Sequence, residues 1–335
     1  MNCKIVSNPR VAVIGYGSWA TAIVKILLEN TPRVGWFILE PKDLDYLRRH
    51  GNNPYYLRDI HFDTSRIDMS DDINTVVEAA DVVVMCVPSA YVKVHTAKLT
   101  AALNEKFVVS AVKGIIPGDH LTVGEYLNRN YGVPFDRIGV VTGPCHAEEV
   151  ALERLSYLTM VCKEEVDARA LGKLFTTEYI RVSYSGDIYG AEYAAVLKNI
   201  YAIGVGIAVG LGYGDNFNAV LIANAAAEMS RFVERSFPGD RHITDSAYLG
   251  DLLVTCYSQF SRNRTFGAMV GKGYPVRSAQ AEMRMVAEGY YGSEGIEFIN
   301  RSLGVEMPIA DAVYEILYRN TPPDEVMESL SEKLK

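Results

Sequence analysis

Two lysines, one aspartate and a short cationic run are the side chains of this sequence best suited to chemistry. Lys198 has Ala194, Ala195 and Ala202 at i−4, i−3 and i+4 of a helical pattern, with Tyr201 at i+3. No carboxylate stands at a spacing that would pair with it along the helix. Such a lysine either snorkels to solvent or is held in a cramped site, where burial beside a second cation lowers its pKa toward general acid–base use. Lys113 follows the apolar run Phe107–Ala111, at the carboxyl end of an expected strand, with Gly114 allowing close backbone approach. It is either a solvated loop charge or a ligand contact. Asp251 interrupts the apolar stretch from Tyr248 to Val254, and an aspartate there needs a partner: a lysine to orient or a substrate hydroxyl. Ser261, Arg262, Asn263 and Arg264 combine guanidinium, amide and hydroxyl donors, a set matched to phosphate oxygens unless it is a solvated turn.

A second constellation lies near the start. Gly15-Tyr16-Gly17-Ser18-Trp19-Ala20 fits G-x-G-x-x-G/A, follows the expected strand Val11–Ile14 and opens a helix near Ser18. Gly15 permits the tight turn, Gly17 lets backbone approach a pyrophosphate, and Ala20 allows close helix–strand packing. The helix end then offers N–H groups and a positive dipole to phosphate. A bare glycine turn without ligand is the alternative. At the second strand's tip, Glu40 can hydrogen-bond a ribose hydroxyl or cap a helix starting near Pro41. No arginine for a 2′-phosphate stands there, so NAD is favoured over NADP.

Cys145-His146 does not read as a thiol dyad, because adjacency in sequence supplies neither hydrogen-bond geometry nor an orienting group. The six histidines show no metal-ligand spacing, and no metal is expected. The five cysteines include no C-x-x-C pair and suggest thiols in a reducing compartment. A net charge of −8 argues against broad nucleic-acid binding and leaves any phosphate site few, clustered cations. The longest apolar stretch, Ile200 to Leu211, falls short of the roughly 20 residues that cross a bilayer, and no signal pattern precedes Val11. A cytoplasmic protein without membrane insertion is expected.

These groups must be positioned by two kinds of architecture. Apolar runs at Val11–Ile14, Val34–Ile38, Val82–Val87, Phe107–Ala111 and Ile138–Val141 alternate with helical patterns such as Trp19–Leu28 and Tyr91–Leu103. That alternation predicts an α/β fold, a Rossmann-type doubly wound parallel sheet, with Leu158–Cys162 and Arg181–Ser183 as extensions. From Gly186 the texture is helical: long helices over 188–233, then segments at Ala247–Phe260, Ser278–Glu288, Ser293–Leu303 and Ile309–Tyr318. The domains are therefore expected at 1–185, binding a dinucleotide, and 186–335, mainly α-helical and substrate-binding or catalytic. The crevice between them is the expected site.

Taken together, Gly15–Ala20, Val112-Lys113-Gly114, Gly143-Pro144, Leu197-Lys198-Asn199, Ala227-Glu228-Met229-Ser230, Leu249-Gly250-Asp251, Ser261–Arg264 with Phe266-Gly267, and Glu288-Gly289-Tyr290 resemble the bacterial-type NAD(P)-dependent glycerol-3-phosphate dehydrogenases. The resemblance runs from Val11 to about Tyr318. It implies that hydride passes reversibly between NAD(P)H and C2 of dihydroxyacetone phosphate, giving sn-glycerol 3-phosphate for phospholipid synthesis. It makes Lys198 the proton-transferring group, with Lys113 touching both cofactor and substrate. Gly143, Cys145, Asp251, Ser261, Arg262 and Asn263 match substrate positions; Ser18, Trp19, Ala147, Arg262, Val286 and Glu288 match cofactor contacts. The family loop commonly reads Gly-Pro-Thr; Cys145 puts a weaker thiol at the threonine position. A homodimer is the expected assembly. The alternatives are a related hydroxyacid dehydrogenase, which does not predict the Ser261–Arg264 cluster, and a non-catalytic dinucleotide sensor, which does not predict retention of Lys198, Asp251 and Arg262.

Overall fold

The computed structural model describes residues 3–283 and 285–335. They form two units, one of residues up to Val112 with Val123–Ile188, the other of Lys113–Thr122 with Tyr189–Lys335. A single cut near residue 185 therefore misses one feature: the segment from Lys113 to Thr122 belongs with the helices. Its attachment is physical, since the Lys113 carbonyl accepts a 2.8 Å hydrogen bond from Asn199 Nδ2, and a Cβ on Gly295 would touch Ile115 at 2.8 Å.

The first unit is an eight-stranded sheet in the order β3-β2-β1-β4-β5-β6-β7-β8. The strands are β1 Val11–Ile14, β2 Val34–Phe37, β3 Ile67–Ser70, β4 Val82–Met85, β5 Phe107–Ser110, β6 Ile138–Thr142, β7 Ser156–Cys162 and β8 Ile180–Ser185. Strands β1 to β6 are parallel, whereas β7 runs antiparallel to β6 and carries β8 parallel to itself. The central strands β1, β4 and β5 are buried throughout, as unbroken apolar runs covered on both faces require. Strand order reverses between β1 and β4, so the loop after β1 opens at the switch point where ligands bind in such sheets.

One predicted helix is corrected. The pattern over Tyr91–Leu103 yields only a short α-helix, Val92–Thr96. The Asn74 side chain takes the backbone beyond it, accepting from Thr100 N at 2.7 Å and Ala101 N at 2.9 Å while donating to Lys98 O at 2.9 Å. A side chain offering both donor and acceptor competes with helix continuation.

The second unit is helical. Its central helix, Ile188–Leu211, is 24 residues long and, by length and composition, apolar enough to cross a membrane, unlike the shorter run read from sequence. Its apolar window is 83% buried within the protein, so it is a core helix. Around it stand Asp215–Ser236, Asp251–Tyr257, Arg262–Gly271, Glu288–Leu303 and Pro308–Tyr318. The fully buried Glu228 accepts N–H groups from Ile309 and Ala310, both at 2.9 Å, capping the Pro308–Tyr318 helix from a neighbouring one.

Glycines set the tightest contact. A Cβ on Gly206 would lie 2.2 Å from Arg264 O, and one on Gly267 would lie 2.1 Å from Ile203 O. Gly210 and Gly271 repeat the pattern one turn on, against Ala268 O and Ile207 O. The central helix and the Arg262–Gly271 helix thus touch backbone to backbone, which fixes the start of the second helix relative to Lys198 on the first. Gly267→Ala is expected to destabilise the protein by at least about 1–3 kcal/mol, because rigid backbone has to move. The urea midpoint measures this; an unchanged midpoint would mean that the helices part without cost.

Candidate active site

Within the second unit, Asp251 is shared by two lysines. Lys198 Nζ hydrogen-bonds its Oδ1, and Lys113 Nζ lies 3.2 Å from its Oδ2. Lys198 and Asp251 are buried, with side chains 5% and 2% exposed; Lys113 is at 20%. A π-helical turn at Ser246–Gly250 delivers Asp251 to the first position of its α-helix. Such a turn re-aims the residues that follow it and recurs at functional sites.

Two ammonium groups thus face one buried carboxylate, and Lys198 is the more buried of the two. Burial pushes its pKa down to about 7, with Asp251 opposing the shift and Lys113 adding to it. Burial alone would raise Asp251, but Lys113 and Lys198 outweigh it and hold the carboxyl below its ordinary value. Lys198 is thus an amine able to give or take a proton near neutrality.

A line of amides ties these groups together. Asn199 Nδ2 donates to the Lys113 carbonyl at 2.8 Å, Asn263 Nδ2 donates to Asn199 Oδ1 at 2.9 Å, and Gly289 N donates to Asn263 Oδ1 at 2.9 Å. Asn263 is therefore partly committed, with its carbonyl and one amide hydrogen engaged. Ser261 is the N-cap of the Arg262–Gly271 helix, its Oγ accepting from Arg264 N at 3.3 Å. Arg262, the first helical residue, is half-buried. Glu288 opens the Glu288–Leu303 helix, two residues after Val286.

The glycine loop lies in the first unit. Gly15 has φ +127, and a Cβ there would fall 2.1 Å from the Cys86 carbonyl oxygen, so the fold itself demands glycine. Gly17 is different. Its φ of −75 suits any residue, and a Cβ would meet nothing within 4 Å. The chain leaves open space there, the cradle that a pyrophosphate needs. Ser18, Trp19 and the fully buried Ala20 form the first turn of the Ser18–Asn30 helix. The buried Trp19 Nε1 finds no acceptor among the described residues, a further sign that the loop fits an external ligand. Glu40 is exposed, and its side chain makes no capping hydrogen bond to the Pro41–His50 helix, which leaves its carboxylate for the ribose reading.

Gly143, at φ +114, sits with its ideal Cβ position 2.8 Å from Tyr157 O, a backbone requirement. It leads to Cys145 and Ala147, which pack in the same apolar cluster as Ala20. In that setting the Cys145 thiol contributes apolar packing.

Sequence reasoning quoted Asn199 only within Leu197-Lys198-Asn199, without a role, and did not single out Asn53. Both are buried amides that must find partners; for Asn199 the apolar helical pattern around it is the signal that could have found it.

Comparison with known proteins agrees with this geometry. Residues 10–168 match the family described as NAD-dependent glycerol-3-phosphate dehydrogenase N-terminus, and residues 187–328 match its C-terminus. A glycerol-3-phosphate dehydrogenase of Staphylococcus epidermidis, named for NAD(P)+, is 33% identical over 97% of this chain and 98% of its own. One from Citrifermentans bemidjiense is 35% identical over the same shares. The crystal structure of glycerol-3-phosphate dehydrogenase from Coxiella burnetii is similar at a TM-score of 0.88, with 27% identity over 97% of this chain and 99% of that one.

Asp251→Asn would remove the carboxylate that pairs with the buried Lys198 and the partly exposed Lys113. A loss of roughly 3–5 kcal/mol in unfolding free energy is expected, as for other broken buried pairs. Denaturant titration at pH 7 tests this; a loss below about 1 kcal/mol would mean that solvent already screens the cluster.

Proposed function

The chain belongs to the NAD-dependent glycerol-3-phosphate dehydrogenase family, and from that premise we propose how its residues divide the reaction. The protein is an NAD(P)-dependent oxidoreductase interconverting dihydroxyacetone phosphate and sn-glycerol 3-phosphate. In this reading the first unit is the dinucleotide domain and the second binds the phosphorylated substrate. Bound NAD(P)H supplies the hydride that reduces the C2 carbonyl.

Lys198 supplies the proton. As charge develops on the C2 oxygen, its ammonium donates; in the oxidising direction its neutral amine takes the hydroxyl proton. Asp251 holds the Lys198 amine in place, and Lys113 lowers its pKa while adding positive charge for the substrate and cofactor. Arg262, with Ser261 and the remaining N–H of Asn263, binds the phosphate; Gly143 and Cys145 line the same substrate. Gly15, Gly17, Ser18, Trp19, Ala20, Lys113, Ala147, Arg262, Val286 and Glu288 contact the dinucleotide. The observation that carries this reading is the buried Lys198–Asp251–Lys113 cluster.

The carboxylate of Glu40 supports NAD over NADP, since it can accept from a ribose hydroxyl and repels a 2′-phosphate. The five cysteines, widely spaced and without a C-x-x-C pair, support a reducing, cytoplasmic setting. A homodimer is the assembly we propose, on the general prevalence of symmetric pairs.

Lys198→Ala is expected to abolish turnover while NADH still binds; retained turnover would remove Lys198 from its role. A pH profile tests the protonation state. Oxidation needs the neutral amine and reduction the ammonium, with the free-enzyme value pushed down to about 7. So kcat/KM for glycerol 3-phosphate should rise with pH through that region, and kcat/KM for dihydroxyacetone phosphate should fall. Profiles flat from pH 6 to 9 in both directions would contradict it. Initial rates with NADH and NADPH decide the cofactor: a higher kcat/KM for NADPH would overturn the Glu40 argument.

A further inference from the structure

In the first unit, the carbonyls of the glycine loop are gripped one after another by side chains. Trp36 Nε1 donates to Gly15 O at 2.6 Å, Asn53 Nδ2 to Tyr16 O at 3.0 Å, and Thr21 Oγ1 to Gly17 O at 3.0 Å. These donors come from separate places: the interior of β2, the segment after the Pro41–His50 helix, and the first turn of the Ser18–Asn30 helix. Trp36, Asn53 and Thr21 are all fully buried.

The set is also locked to itself. Asn53 Nδ2 donates a second bond, at 3.0 Å, to Thr21 Oγ1, while Asn53 Oδ1 accepts from Tyr55 N at 3.0 Å and Tyr56 N at 3.2 Å. Both donor hydrogens and both acceptor positions of this amide are used. The Thr21 hydroxyl accepts from Asn53, so its single hydrogen is committed to Gly17 O.

A trans peptide is planar, and its N–H points opposite to its C=O. Holding the carbonyls of Gly15, Tyr16 and Gly17 therefore turns the N–H groups of Tyr16, Gly17 and Ser18 to the other side of the loop. A Cβ on Gly17 would meet nothing within 4 Å, so the loop is open there. Backbone N–H groups set in this way bind an anion without having to reorganise.

We propose that Trp36, Asn53 and Thr21 are positioning residues for dinucleotide affinity, gripping the carbonyl side of the glycine loop so that its N–H side is preset for the pyrophosphate. They act through the loop backbone. The inference rests on the proposed dinucleotide site.

The test titrates purified variants with whichever of NADH and NADPH the wild type binds more tightly, following nicotinamide fluorescence. Thr21→Val keeps the shape of the side chain but removes its hydroxyl; Thr21→Ser keeps the hydroxyl; Asn53→Asp keeps the shape but loses both donors. Thr21→Val and Asn53→Asp are expected to raise Kd about 5- to 20-fold, the scale of one or two lost hydrogen bonds, with Thr21→Ser within about twofold of wild type. KM for dihydroxyacetone phosphate should move less than about twofold, where a general loosening of the fold would move both. If Asn53→Asp does not fold, the two Thr21 variants carry the comparison alone. Wild-type affinity in folded Thr21→Val would overturn the proposal, as would equal weakening in Thr21→Ser and Thr21→Val, or a parallel rise in both constants. Failure of the wild type to bind either cofactor would be a different result, sinking the dinucleotide reading itself.

Discussion

The shared carboxylate of Asp251 is the interaction on which the rest of the second unit depends. One carboxylate hydrogen-bonded to a buried ammonium and within 3.2 Å of a second ties two distant parts of the chain together. Lys198, the more buried of the two lysines, has its pKa pushed down chiefly by that burial, with Asp251 opposing the shift and Lys113 adding to it. Lys113 has to reach the cluster from a distant part of the chain, which explains why its segment leaves the sheet unit to join the helices. The Asn199 amide holding the Lys113 carbonyl then makes the two lysines one assembly.

Both units aim their chemical groups by fixing backbone first. Glycines at 206, 210, 267 and 271 bring two helices to backbone contact, so the helix that begins with Arg262 has little freedom against the helix that carries Lys198. In the glycine loop, side chains grip carbonyls to orient amides. In each case the backbone that carries the proposed ligand groups is fixed in advance, and that part of the ordering entropy is met during folding. The two units differ in electrostatic means. The loop offers fixed dipoles that do not titrate, as a permanently anionic pyrophosphate requires. The lysine cluster offers a group that changes charge, as proton transfer to a ketone oxygen requires.

Much of this was legible along the chain because local rules coincided with global ones. β1, β4 and β5 are unbroken apolar runs, and the loop from Gly15 to Ala20 has its strand before it and its helix after it. Strand β3 was not legible. Ile67–Ser70 is an edge strand with only Ile67 buried, so no run of apolar residues marks it. The 91–103 helix was over-read because its terminator, Asn74, is remote in sequence. The site divides the same way. Lys198 and Asp251 stood out as charges in apolar contexts, but their pairing is a tertiary fact. Asn53 was invisible because an asparagine between Asn52 and Pro54 reads as a turn, and its four hydrogen bonds reach residues on both sides of it in the chain.

The acidity of the chain gives the cation cluster its discriminating force. With a net charge of −8, the protein as a whole repels the phosphorylated substrate and the dinucleotide alike. At physiological ionic strength that repulsion is screened over about 8 Å, so an approaching anion feels mainly the groups nearest to it. In the proposed site the ammonium groups of Lys113 and Lys198 and the guanidinium of Arg262 are the groups nearest to it. A phosphorylated ketone brings a negative charge that an uncharged one lacks, and in that reading the added charge moves Lys198, whose pKa burial depresses, back toward the ammonium form, the state that reduction consumes.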